Sequence, residues 1–187
     1  MYLRQSGWAN QTCVSIRRVV FVVSLLIACL VLSFHASANQ PLLVPVDRDL
    51  PTFDLEGANG EVWNNDALQG KPWLINFWAV WCAPCLDELP ALNETWSVLK
   101  EKNVGMLAVN IGDDADSIKL FLHKHDLKID FPIVIGDKYK TLGNWSAITL
   151  PYTVIVSPEG KIVYEASGPR EWADPFFIDA ITGLLDS

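Results

Sequence analysis

Trp73-Leu74-Ile75-Asn76-Phe77-Trp78-Ala79-Val80-Trp81-Cys82-Ala83-Pro84-Cys85 is the stretch on which the reading of this chain turns. Residues 73–78 are apolar apart from Asn76, as in a central strand covered on both faces. A helix-competent segment, Leu86 to Lys102, follows at once. Two cysteines spaced two residues apart therefore fall at a strand-to-helix junction. The first would sit over the free N–H groups of the helix start, which favour a thiolate. Such a pair can close into a small disulfide ring and reopen. The implied chemistry is redox exchange on protein thiols.

From Ala83 onward, helical spacing places Cys85, Leu89, Leu92, Trp96 and Leu99 on one stripe. Pro90 inside this helix removes one backbone hydrogen bond and is expected to bend it. Glu88 lies three residues after Cys85, on the adjoining helix face. A buried second cysteine needs a proton acceptor, and Asn76 cannot carry a proton. Glu88 could serve if partial burial raised its pKa; the other reading is a solvated carboxylate. A zinc site would need two more ligands, and His123 and His125 stand only two apart with no second CxxC. Covalent haem attachment would need His after Cys85, where Leu86 stands. No metal or cofactor is expected.

The chain has 187 residues, half of them hydrophobic, with four cysteines. Residues 1–38 hold three of the 14 Lys and Arg and none of the 22 Asp and Glu. The rest thus carries 11 basic against 22 acidic residues, a net charge of −11, which argues against a nucleic-acid partner. Arg17-Arg18 precedes Val19 to Phe34, a largely apolar run of about 24 Å as a helix, short of the roughly 30 Å hydrocarbon core. Ala36-Ser37-Ala38 then fits a signal-peptidase site. A cleaved signal, a retained membrane anchor and lipidation at Cys29 are the three readings, and each puts residues 39–187 outside the cytoplasm. If the leader is removed, only Cys82 and Cys85 remain, too few for a structural disulfide framework.

Residues 39–50 read as an extended polar linker, and 51–187 as one domain. Phe53-Asp54-Leu55 and Val62-Trp63 flank a Gly-rich turn, a β-hairpin at the N-terminal edge of that domain. Gly105 to Asn110 is a second buried strand. A helix beginning near Asp116 turns Ile118, Phe121, Leu122 and His125 inward. Phe131 to Ile135 is a short strand, followed by a helical turn near Tyr139 to Trp145. Tyr152 to Ser157 and Lys161 to Glu165 flank the turn Ser157-Pro158-Glu159-Gly160. Asp174-Pro175 opens a last helix with Phe177, Ile178, Ile181 and Leu185 inward. This alternation implies an α/β fold with a mixed central sheet and helices on both faces. Leu150-Pro151, read from the residues alone, is an ordinary trans-proline opening an edge strand.

Trp81-Cys82-Ala83-Pro84-Cys85, with Asn76-Phe77-Trp78-Ala79 before it and Glu88-Leu89-Pro90 after it, resembles the thioredoxin superfamily. Val109-Asn110, Leu150-Pro151-Tyr152-Thr153 and Ser157-Pro158-Glu159-Gly160-Lys161 extend the likeness to its TlpA/ResA group of extracytoplasmic thiol–disulfide oxidoreductases. The resemblance covers about residues 50–187. It implies a thioredoxin-like fold and a cis Leu150-Pro151 peptide facing the cysteines, with Trp81, Leu150 and Pro151 at the substrate. It also implies that Cys82 attacks a protein disulfide, that Cys85 resolves the mixed disulfide, and that Glu88 assists. Pro84 favours a reducing couple, and Trp78 and Trp81 would form an apolar wall around it. Apocytochrome c maturation or copper and stress handling are the implied roles, with a membrane electron donor of the DsbD/CcdA type. Rival readings are a dithiol oxidase or isomerase, and a non-catalytic binding module. A peroxidase fits less well, because Ala79 stands where peroxiredoxins hold Thr.

Overall fold

Strand β4 (Trp73–Trp78) is buried at every position, and its alternating side chains feed two separate cores. Leu74 and Trp78 point into one apolar cluster with Cys82, Cys85, Leu89 and Leu92. Trp73, Ile75 and Phe77 point into the other, with Leu68 and Trp145. A strand rises with a side-chain period of two, so a continuous apolar run serves both faces at once. Asn76 shares the parity of Leu74 and Trp78 and thus faces the cluster that contains the cysteines.

The computed structural model describes residues 43–186. The expected leader, with Cys13 and Cys29, lies outside the described residues. The remaining strands are β1 (Val44–Asp49), β2 (Asp54–Gly57), β3 (Val62–Asn64), β5 (Gly105–Ile111), β6 (Ile133–Gly136), β7 (Tyr152–Val156) and β8 (Lys161–Ser167). They join β4 in one mixed sheet, ordered β1-β8-β7-β4-β5-β6-β2-β3. β4, β5 and β6 run parallel, and β7 lies antiparallel to β4. The helices are α1 (Ala83–Leu99), α2 (Ala115–Lys124), α3 (Lys138–Trp145) and α4 (Pro175–Thr182). Ile118 of α2 and Phe177 and Ile181 of α4 join the cluster of α1, whereas Trp145 of α3 belongs to the opposite one. Helices therefore cover both faces of the sheet.

Three stretches differ from the sequence reading. Residues 44–49 were expected within a linker, but they form edge strand β1 paired with β8. Val46 and Leu50 lie against the Phe77 cluster, and Arg48 donates to Glu165 Oε2 at 2.8 Å and to the Trp145 carbonyl at 3.2 Å. Pro45 is tolerated there because an edge strand can lack a ladder donor. His125 is exposed at the end of α2, where it stacks on Phe121. Leu185 lies past the end of α4, in the closing 3₁₀ turn, and is also exposed.

Gly105 opposes Trp73 across the β4–β5 ladder, and a Cβ there would run into the Trp73 indole ring. Gly105→Ala is expected to lower stability by about 1–3 kcal/mol through overpacking. An unchanged urea midpoint would contradict this packing.

Candidate active site

α1 starts at Ala83 because Cys82 is held in extended backbone (φ −95°, ψ 92°) and Pro84 fits the first turn, where an N–H is dispensable. No side chain caps this end, so the helix dipole is left to act on whatever sits above it. Cys82 and Cys85 are joined by a disulfide, with 5.3 Å between their Cα atoms. Cys82 retains 6% of its surface and Cys85 none. The loop leading in is fixed by the Cys82 N–H on the Ala79 carbonyl (3.1 Å). It is also fixed by the Val80 N–H on Asp113 Oδ2 (3.2 Å). Asp113, two residues past the end of β5, is itself set by its N–H to Asn110 Oδ1.

One turn beyond Cys85, Glu88 is 4% exposed. Its Oε1 accepts from Asn76 Nδ2 at 2.8 Å. Its Oε2 accepts from Trp172 Nε1 at 3.0 Å and from the Arg170 N–H at 3.2 Å. Asn76 donates in addition to Thr153 Oγ1 (3.0 Å), its partner across the β4–β7 ladder. Burial raises the Glu88 pKa from 4.5 to about 7; the three donors and the Arg170 charge pull the other way and lose. A carboxyl so placed can take up and release a proton near neutrality. The solvated alternative for Glu88 is thereby set aside.

The Leu150-Pro151 peptide is cis, as the resemblance implied and the residues alone did not. The register Phe77↔Tyr152 brings it to the end of the sheet where residues 79–82 begin the cysteine loop. Leu150 packs against the cluster that contains both cysteines. Two large apolar side chains close in sequence to the disulfide and to the cis-proline are exposed. Trp81 is 59% exposed and Ile148 95%. Lys138 Nζ lies 5.4 Å from the centre of a Trp81 ring and 5.8 Å from that of Tyr139. Trp78 does not share this surface. It is fully buried and forms a floor under the cysteines, because its strand parity turns it inward.

The structure thus gathers Trp81, Cys82, Cys85 and Leu150-Pro151 at one end of the sheet, with Glu88 behind the disulfide. Sequence reasoning missed Trp172, the Arg170 amide, Thr153 as a partner of Asn76, and Asp113. None belongs to a short motif with the cysteines. The one available hint was a buried asparagine in an otherwise apolar strand, which had to find polar partners somewhere. Among the described residues no cluster of three or more metal-ligating side chains occurs.

A disulfide at the head of the helix that follows the central strand, with a cis-proline at the same end of the sheet, is the arrangement of thioredoxin-fold exchange proteins. Residues 46–165 match the AhpC/TSA family. The thiol-disulfide oxidoreductase ResA of Bacillus cereus is 33% identical over 163 residues, or 82% of this chain and 90% of that protein. ResA of Geobacillus thermodenitrificans is 31% identical over 149 residues, or 78% and 84%. A thiol:disulfide interchange protein DsbE from Chlorobium tepidum has the same fold with a TM-score of 0.65 at 25% identity, covering 73% of this chain and 97% of that one. The chain belongs to the AhpC/TSA family and, within it, to the ResA-type thiol–disulfide oxidoreductases.

The raised Glu88 pKa has a sign consequence for stability. Glu88 binds its proton more tightly folded (about 7) than unfolded (4.5). Its contribution is therefore full below pH 4.5 and lost as pH rises through 7. In the oxidised protein this loss is expected to reach about 3 kcal/mol. Urea unfolding from pH 4 to 8 should show a shallower slope for Glu88→Gln, and parallel curves for the two proteins would contradict the assignment.

Proposed function

We propose that this chain is an extracytoplasmic thiol–disulfide oxidoreductase that reduces disulfides in other proteins through Cys82 and Cys85. The observation that carries the reading is the unequal placement of the two sulfurs. One lies at the rim at a helix N-terminus, and the other is sealed, with an exchangeable carboxyl one turn behind it. In the reduced protein the Cys82 thiolate attacks a substrate disulfide. A Cys82–substrate bond forms as the other substrate sulfur leaves with its electron pair. Cys85 passes its proton to the Glu88 carboxylate and attacks Cys82 Sγ. The bond to the substrate breaks, two electrons have moved to the substrate, and the protein is left as the disulfide described above.

Exposed Trp81 and Ile148 and the cis Leu150-Pro151 peptide are the groups offered to an incoming polypeptide. Ala79, where peroxiredoxins hold Thr, speaks for protein disulfides over peroxides as the partner. The leader sequence supports export or tethering at the outer face of the membrane. A reductant working in an oxidising compartment must be recharged, so a membrane electron donor of the DsbD/CcdA type is the implied partner. Apocytochrome c, or proteins of copper and stress handling, are the substrates that the ResA likeness suggests.

Two measurements test this. Cys85→Ser cannot resolve, so it should accumulate disulfide-linked adducts through Cys82 when expressed in its full form. Adducts that persist in the Cys82→Ser, Cys85→Ser double variant would overturn the assignment. The Cys82–Cys85 potential should lie on the thioredoxin side, about −270 mV; a value near that of DsbA, about −120 mV, would make the protein an oxidant.

A further inference from the structure

Glu88 is held by a segment outside the motifs that define the family resemblance. After β8 the chain turns at Gly168 (φ 84°), and Pro169-Arg170-Glu171-Trp172 comes back to α1. Trp172 is fully buried and fixed against Phe177 of α4, with 4.7 Å between ring centres. Its indole N–H and the Arg170 amide both donate to Glu88 Oε2, while the sheet, through Asn76, serves Oε1. Each donor favours the ionised carboxylate over the neutral acid.

The groups around Glu88 are few. β4 contributes neutral Asn76, which is itself bonded to neutral Thr153 of β7. The strap contributes the Arg170 cation and the Glu171 carboxylate, and α1 contributes Asp87. Arg170, Glu171 and Asp87 line, with Glu88, Ala91 and Pro169, a cleft of ≈ 180 Å³. No residue of the cysteine loop or of 148–151 lines it. Glu88 therefore borders a cleft whose lining is separate from the cysteine loop and from residues 148–151.

We propose that Trp172 is a positioning residue for thiol exchange, its indole N–H favouring the Glu88 carboxylate and aiming it to receive the Cys85 proton, which then leaves through the cleft beneath residues 169–171. This rests on the reading of Glu88 as the acceptor. The balance is simple. Cys85–SH and Glu88–COO⁻ become Cys85–S⁻ and Glu88–COOH, and the acid afterwards gives its proton to water in the cleft.

The test follows the Glu88 carboxyl carbon by NMR across pH in the oxidised protein, where both sulfurs are bonded and neither Cys82 nor Cys85 titrates. Trp172→Phe keeps an aromatic ring and removes the donor. Its Glu88 midpoint should rise by about one pH unit. The midpoint for Cys85 attack on a Cys82–glutathione mixed disulfide, measured by rapid mixing, should rise equally. An unmoved Glu88 midpoint in Trp172→Phe overturns the inference. Glu88→Gln separates the two layers. If it flattens the kinetic pH profile while Trp172→Phe moves nothing, only the role of Trp172 fails. If it leaves rate and profile unchanged, the acceptor reading fails as well. Should Trp172→Phe not fold, 3-benzothienylalanine at position 172, with sulfur in place of the N–H, carries the same comparison.

Discussion

The turn from β4 into α1 puts two cysteines 5.3 Å apart at Cα and in different surroundings. A strand ending at Trp78 and a helix opening at Ala83 leave only residues 79–82 to make the corner. Cys82 stands just before the first turn of the helix and makes no side-chain capping bond, while Cys85 is carried one turn inward against Trp78 and Leu89. The corner is braced from the loop after β5, through Asp113 on the Val80 amide. The proposed exchange needs one sulfur that can be reached and one that can wait, and this corner gives the two cysteines unequal exposure.

The inner sulfur brings a second requirement. A carboxyl buried beside it is costly unless its oxygens find donors. Here they find three, from β4, from the Arg170 amide and from Trp172. The donors are neutral, so they hold the carboxylate in place without cancelling the effect of burial. The pKa comes to rest near 7, the range in which a group can both accept and surrender a proton. Asn76, which cannot carry a proton, supports the acid that stands on α1.

What could be read beforehand follows the range of the interactions. The cysteine junction, the buried strands β4 and β5 and the β7–β8 hairpin are written in local pattern and turn chemistry, and they are where expected. β1 was obscured because Pro45, Asp47, Arg48 and Asp49 look like a spacer; it is a strand only because β8 pairs with it. Spacing placed Glu88 near Cys85 but could not decide its burial, since the residues that cover it are 82 and 84 positions away. The two tryptophans flanking the corner looked equivalent in sequence. One is the last residue of β4, where parity turns it inward; the other lies past the strand, where parity no longer applies.

The asymmetry of the two sulfurs is tested most directly by timed alkylation of the fully reduced protein across pH, with each cysteine followed separately. Cys82 should react first, with an apparent pKa below the ordinary value of about 8.5, and Cys85 should stay protected until the protein unfolds. Cys85 reacting as fast as Cys82, or Cys82 ionising only near 8.5, would contradict the account.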